Sequence, residues 1–216
     1  MDAAPPPVPE EPPARDWSQM PIDVLSLVFV RVGAFDVLMG AGLVCHSWLQ
    51  AAKLPDVWRT VDVQSYRVLN RKIFDFRCAM VKAAVDRSDG QLRTFVGTGF
   101  VTDELLRYIV ERSPSLTTLR LHRCHRVGLA CAIRKSPLME LRSLELVYVD
   151  LTVGELTDVL ENCPVLEVLR VHNSYMVYDE HKHALRSKFA RIQTMTLESD
   201  DEFRIRKVLL WFQSRS

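Results

Sequence analysis

Few glycines punctuate this chain, eight in all, and none form the closely spaced set that cradles a phosphate. Cysteine is scarce too. Cys45, Cys78, Cys124, Cys131 and Cys163 are odd in number and no two make a Cys-x-x-Cys pair. A disulfide framework is therefore not expected, and reduced thiols point to the cytosol or nucleus. Charge of one sign is missing: Lys and Arg total 28, Asp and Glu 27. That balance gives no global attraction to nucleic acid or to a membrane surface. No apolar run reaches the roughly 18 residues of a membrane-spanning helix, and the N-terminus lacks the pattern of a secretory signal. No Ser-His-Asp frame stands out, so catalysis has no obvious carrier.

What is present is division. Residues 1–15 hold Pro5, Pro6, Pro7, Pro9, Pro12 and Pro13 and almost nothing to bury. They read as an extended, solvated leader. From Trp17 the pattern changes. Pro21 suits a helix start, and Ile22, Leu25, Phe29 and Val32 recur at helical spacing before Gly33. Asp36 is the expected N-cap of a second stretch, with Leu38, Ala41, Val44, Cys45 and Trp48 inward. Gly40 and Gly42 should break it in two, since each costs about 1 kcal/mol within a helix. Over 66–86, Leu69, Ile73, Phe76, Met80 and Ala84 mark one face of a linking helix.

The remainder repeats. The frame Leu-x-x-Leu-x-Leu appears as Leu116, Leu119, Leu121, as Leu141, Leu144, Leu146, and as Leu166, Leu169, Val171. A weaker copy is Ile192, Met195, Leu197, and a degenerate one is Leu92, Phe95, Gly97. The starts are 24, 25, 25 and 26 residues apart, the period of leucine-rich repeats. The alternating part predicts a short strand with one buried face. Leu105, Leu106 and Ile109 before Ser113-Pro114, and Leu156, Val159 and Leu160 before Cys163-Pro164, predict the returning helices. One repeat cannot bury its face alone, so stacking must build the core, strands concave and helices convex. Ile205, Val208, Leu209 and Phe212 are spaced for a terminal helix covering the last repeat.

The chain resembles plant-type F-box proteins with leucine-rich repeats. The likeness rests on Met20-Pro21, on the amphipathic Val24–Phe29 stretch, on Val44-Cys45-His46-Ser47-Trp48, and on Val57-Trp58. Met20 departs from the family's usual Leu. The implied fold is α/β: a three-helix F-box module at 16–62, a linker helix at 63–88, and a short parallel-strand solenoid at 89–200, with 201–216 a cap or tail. The resemblance implies a non-catalytic substrate receptor of an SCF-type ubiquitin ligase, working in the nucleus or cytoplasm. Its partners would be a Skp-type adaptor, through it a cullin scaffold, and a target protein, without nucleic acid, membrane, metal or cofactor. A repeat scaffold that binds proteins without any ligase is the rival.

So small a helical module cannot bury all its apolar residues against one another, and the surplus marks a partner site. Pro21, Ile22, Leu25, Phe29, Val44 and Trp48 are the expected adaptor contacts. Strand alternation yields two concave columns. One is Val96, Arg120, Glu145, Arg170 and Thr196; the other is Thr98, His122, Val147, His172 and Glu198. Arg120, His122, Glu145, Arg170 and His172 are the expected target contacts, with Arg123 and Arg142 near. The alternative is an internal charge ladder. His122, Cys124, His125 and Cys131 resemble a zinc set, yet Cys124 falls in the repeat's turn slot and His122 alternates to the other face. Cys45-His46 are adjacent, so on a helix their side chains do not face each other as a thiol and its base must.

Overall fold

The structure is a computed structural model, and it describes residues 16–63, 71–124, 127–172 and 179–198. The expected leader, Leu69, His125 and the Ile205–Phe212 stretch lie outside the described residues.

The first described turn is a short 3-10 turn, Trp17–Gln19. It is capped by Asp16, whose carboxylate accepts from Ser18 N at 3.0 Å, Ser18 Oγ at 2.6 Å and Gln19 Nε2 at 2.9 Å. Those hydrogen bonds, the Ser18 hydroxyl's foremost, hold the Asp16 carboxyl below its usual range. Pro21 stands just outside helix α1 (Ile22–Val32), its carbonyl accepting from Leu25 N at 3.0 Å. Gly33, at φ +98°, ends α1, and helix α2 (Ala34–Met39) leaves at once. Asp36 is therefore not an N-cap but sits in the first turn of α2. Gly40 stops α2 as expected, and a 3-10 turn, Ala41–Leu43, leads to helix α3 (His46–Ala51). A Cβ on Gly42 would lie 2.8 Å from Val37 O and 3.1 Å from Ala52 Cβ. Glycine there lets α2 and α3 approach.

After a 3-10 turn at Pro55–Trp58, strand β1 (Thr60–Asp62) opens a sheet in the order β1-β2-β3-β4-β5-β6. The others are β2 (Thr94–Thr98), β3 (Thr118–His122), β4 (Ser143–Val147), β5 (Val168–His172) and β6 (Thr194–Glu198). Every pairing is parallel and none slips: Phe95, Leu119, Leu144, Leu169 and Met195 are register partners in turn. The repeat frame is thus the strand register. β1 was not foreseen. Its frame is Trp58, Val61 and Val63, with Trp58 in the first leucine's place and 34 residues before Leu92.

Each strand enters and leaves the same way. The carbonyl of Arg93 accepts from Thr117 N and Thr118 N, both at 2.9 Å. Arg59, Thr117 and Arg142 do the same for the strand that follows each. At the exit Gly99, Arg123 and Tyr148 have φ of 36°, 54° and 54°, and each N–H donates to the next strand's last carbonyl. The left-handed residue turns the following side chain inward, so Phe100, Cys124 and Val149 are buried.

The returning segments are helices α4 (Arg71–Arg87), α5 (Asp103–Arg112), α6 (Leu129–Lys135), α7 (Val153–Glu161) and α8 (Asp179–Lys188). Thr102 caps α5, and Thr152 with Glu155 forms a capping box on α7. Their inward faces are those the spacing predicts: Leu105, Leu106 and Ile109, then Leu156, Val159 and Leu160, all buried. α4 differs. Met80, Val81, Ala84 and Val85 are its buried apolar set, whereas Phe76 is 52% exposed. The helix turns its Arg77, Met80, Val81, Ala84 and Val85 stripe inward, where α5, α2 and the Pro55–Trp58 turn pack against it.

A single core runs through both halves. Trp58, fully buried, joins them: its Nε1–H donates to Ala52 O at 3.0 Å, and the Arg87 guanidinium of α4 lies 5.2 Å from its ring.

Candidate interaction surfaces

Helix α1 has apolar side chains around its whole circumference, so some must face water. Leu25 and Phe29 do not. They are buried, four residues apart on the stripe by which α1 packs on α2, α3 and the Pro55–Trp58 turn. Phe29 meets Trp48 edge to face with ring centroids 5.6 Å apart. These two residues, expected on the adaptor face, are core residues instead. A small module needs its largest apolar pair for its own packing.

Trp48 is half-buried, its indole N–H donating to Trp17 O at 3.0 Å, while Ser47 Oγ donates to Ser18 O at 2.8 Å. α3 thereby ties the first turn down. Pro21 and Ile22 are exposed as expected. Val44, read both as inward in its helix and as a contact, is 62% exposed. It projects from the bend before α3 rather than from a helix face. Val24, Leu27, Val28, Met39 and Leu43 join it, with Leu27 at 68% and Leu43 at 72% exposed. Spacing alone missed Leu27 and Leu43. The signal was there: more apolar residues on α1 than one stripe can hold. Beside this surface Leu38, Met39, Leu43, Phe76, Ala79, Met80 and Ala83 line an apolar groove of about 440 Å³ between α2 and α4.

Cys45 Sγ lies 3.1 Å from Ser47 Oγ, and this contact first, then backbone N–H groups, moves the thiol below its ordinary pKa. His46 instead meets Gln50 Nε2 at 3.3 Å, so no thiol–base pair forms here. Nor do the three suspected zinc ligands among the described residues converge. Cys124 is buried with Sγ 3.4 Å from His122 O, His122 is on the concave face, and Cys131 is exposed on α6. Burial pushes the Cys124 thiol up to about 12.

On the concave side both expected columns exist, residue for residue, since Val96, Arg120, Glu145, Arg170 and Thr196 are successive register partners. So are Thr98, His122, Val147, His172 and Glu198. A third column, not singled out from the sequence, is hydroxyl-rich: Thr94, Thr118, Ser143, Val168, Thr194. The charges are only partly a ladder. Glu145 is held by Arg120 at 3.6 Å and by His122 at 3.3 Å, and His172 Nδ1 is 3.0 Å from Glu198. Arg170, exposed, makes no ion pair with a described residue. At the rims Arg142 pairs with Glu167, and Arg123 sits 5.8 Å from the Tyr148 ring.

Comparison with known proteins meets this geometry. Residues 17–60 match the F-box domain family, and residues 91–214 match the family described as FBD-associated F-box protein At5g56370, LRR repeats. F-box protein SKIP19 of Arabidopsis thaliana is 34% identical over 79% of this chain and 56% of its own length. The proteins of the same plant named F-box/LRR-repeat 23 and 22 are 30% and 34% identical over 85% and 75% of the chain, and 42% and 52% of themselves. The chain spans about half the length of the curated relatives it matches.

Proposed function

This chain belongs to the F-box proteins with leucine-rich repeats, and from that premise we propose that it is the substrate-receptor subunit of an SCF-type ubiquitin ligase. One observation carries the reading: α1 and the bend before α3 leave Ile22, Leu27, Leu43 and Val44 in water while Leu25, Phe29 and Trp58 hold the module together. Large apolar side chains left exposed on a module with a finished core are suited to be covered by a partner. The partner is a Skp-type adaptor, which links to a cullin scaffold carrying the conjugating enzyme. The concave columns hold the target, and the work is done in the nucleus or cytoplasm. The receptor's contribution is proximity: it raises the concentration of target lysines beside the charged conjugating enzyme. It needs no nucleophile, acid or base of its own, and no cofactor.

The test is co-expression with a Skp-type adaptor followed by gel filtration. The wild-type chain should elute as a one-to-one complex. Leu27→Glu with Val44→Glu should abolish the complex and leave the melting curve of the free chain unchanged, because both side chains are exposed. Wild-type chain that stays separate from the adaptor refutes the receptor role and favours a ligase-independent scaffold.

A further inference from the structure

The charged side chains of the concave columns balance one another in a definite pattern. Glu145 has a partner on each side of its carboxylate, Arg120 at 3.6 Å and His122 at 3.3 Å. Glu198 has His172 at 3.0 Å. Arg170 is in register between Glu145 on β4 and Thr196 on β6, with Val168 and His172 flanking it along β5. Glu145 is the acidic register partner that could neutralise it, and its carboxylate is turned to the other side. Arg170 therefore keeps an exposed guanidinium in a row whose other charges are engaged.

We propose that Arg170 is the anchor for an anionic side chain of the target, a phosphate ester or a carboxylate, and that Arg120 is not. This rests on the receptor reading and adds the chemistry of what is received. Three features support it. A guanidinium offers five N–H donors in a planar fork that matches either anion in bidentate fashion. Thr196, one strand away at about 4.8 Å, places a hydroxyl donor beside that fork. And β5 is rigid, because Leu169 and Val171 on either side of Arg170 are fully packed, so the side chain is presented from a fixed backbone. Arg120 differs in one respect: its guanidinium already faces the Glu145 carboxylate at 3.6 Å, a negative charge that would repel a target anion bound there.

The probes are three nine-residue degenerate peptide pools with a fixed central phosphoserine, glutamate or glutamine, bound to the full chain in complex with its adaptor. The phosphoserine pool, the glutamate pool or both should be retained about tenfold or more over the glutamine pool, the two arms separating phosphate from carboxylate. Arg170→Gln should remove that preference, Arg170→Lys should keep part of it, and Arg120→Gln should leave it standing. Equal retention of all three pools by the wild-type complex overturns the proposal. So does a preference that survives Arg170→Gln, or one that Arg120→Gln removes. Melting curves of the variants confirm folding. Adaptor binding is read on the same preparations: its failure strikes the receptor reading, whereas the pool comparison can be repeated on the chain alone and strikes only the anion site.

Discussion

Trp58→Phe should loosen both halves of the molecule by the same amount. Trp58 closes the helical module and fills the first position of the first strand frame, at no exposed surface. Phenylalanine keeps most of the apolar contact. It removes the indole N–H that reaches Ala52 O at 3.0 Å, leaving that carbonyl without its donor, and shrinks the ring against which Arg87 lies at 5.2 Å. The orphaned carbonyl and the small cavity together cost about 1–3 kcal/mol. Trp58→Ala costs more, about 3–5 kcal/mol, a large share of a typical total of about 5–15 kcal/mol. At this size the Phe variant should melt lower by about 2–4 °C for each kcal/mol lost. The decisive measurement is hydrogen–deuterium exchange resolved by segment. In the Phe variant, protection should fall equally in α1 and in β3 and β4, as it does when a shared core weakens. Loss confined to α1–α3, with the sheet as protected as before, would refute the single-core argument and make the module a separately folding unit.

Other expectations follow from individual polar groups. Arg191 donates to Leu160 O at 2.5 Å, Cys163 O at 3.3 Å and Pro164 O at 3.1 Å, closing the C-terminal end of α7, so Arg191→Ala should cost about 1–3 kcal/mol in urea unfolding. An unchanged midpoint would mean that water serves those carbonyls equally well. Ser113 Oγ is buried with no hydrogen-bond partner, and two repeats later Cys163 occupies its slot, so Ser113→Cys should leave the midpoint level or raise it; a clear loss would show a partner for the hydroxyl. Burial raises the Cys124 and Cys163 thiols to about 12, so at pH 8 both stay protonated. Alkylation of the native chain at pH 8, followed by peptide mass mapping, should therefore mark exposed Cys131 and spare those two until denaturant is added.

The solenoid could be read almost in full from the chain, register included, because its core is written in leucines at a fixed interval and one slip would bury Arg120 and expose Leu119. The concave columns came with it. β1 escaped because a tryptophan stands in its first slot and because α4 and its approach stretch the interval to Leu92. The docking surface was half legible. An α1 that is apolar all round declares that something must cover it, but periodicity cannot choose which stripe the chain keeps for itself. Leu25 and Phe29 went inward because α2 and α3 fold back over them, a tertiary fact. Phe76 was misplaced for the same reason, its helix being rolled toward the stripe led by Arg77. Spacing on one helix states how wide the apolar face is; the neighbour decides where it points.

The unslipped register sets a ruler for whatever lies across the sheet. Within a column the side chains of successive strands stand about 4.8 Å apart. An extended peptide crossing the strands advances about 3.3 Å per residue. Its side chains alternate, so only every second residue faces the sheet, and for those the two scales agree again when six residues span four strands, about 19.8 against 19.2 Å. A segment anchored by one side chain at Arg170 would next come into step over Asp62, four strands away, with its residue six positions along. The sheet-facing residues between would fall out of step with the strands, where no side chain of the column is aligned to read them. Such a surface distinguishes targets by widely spaced positions and tolerates change at those in the gaps.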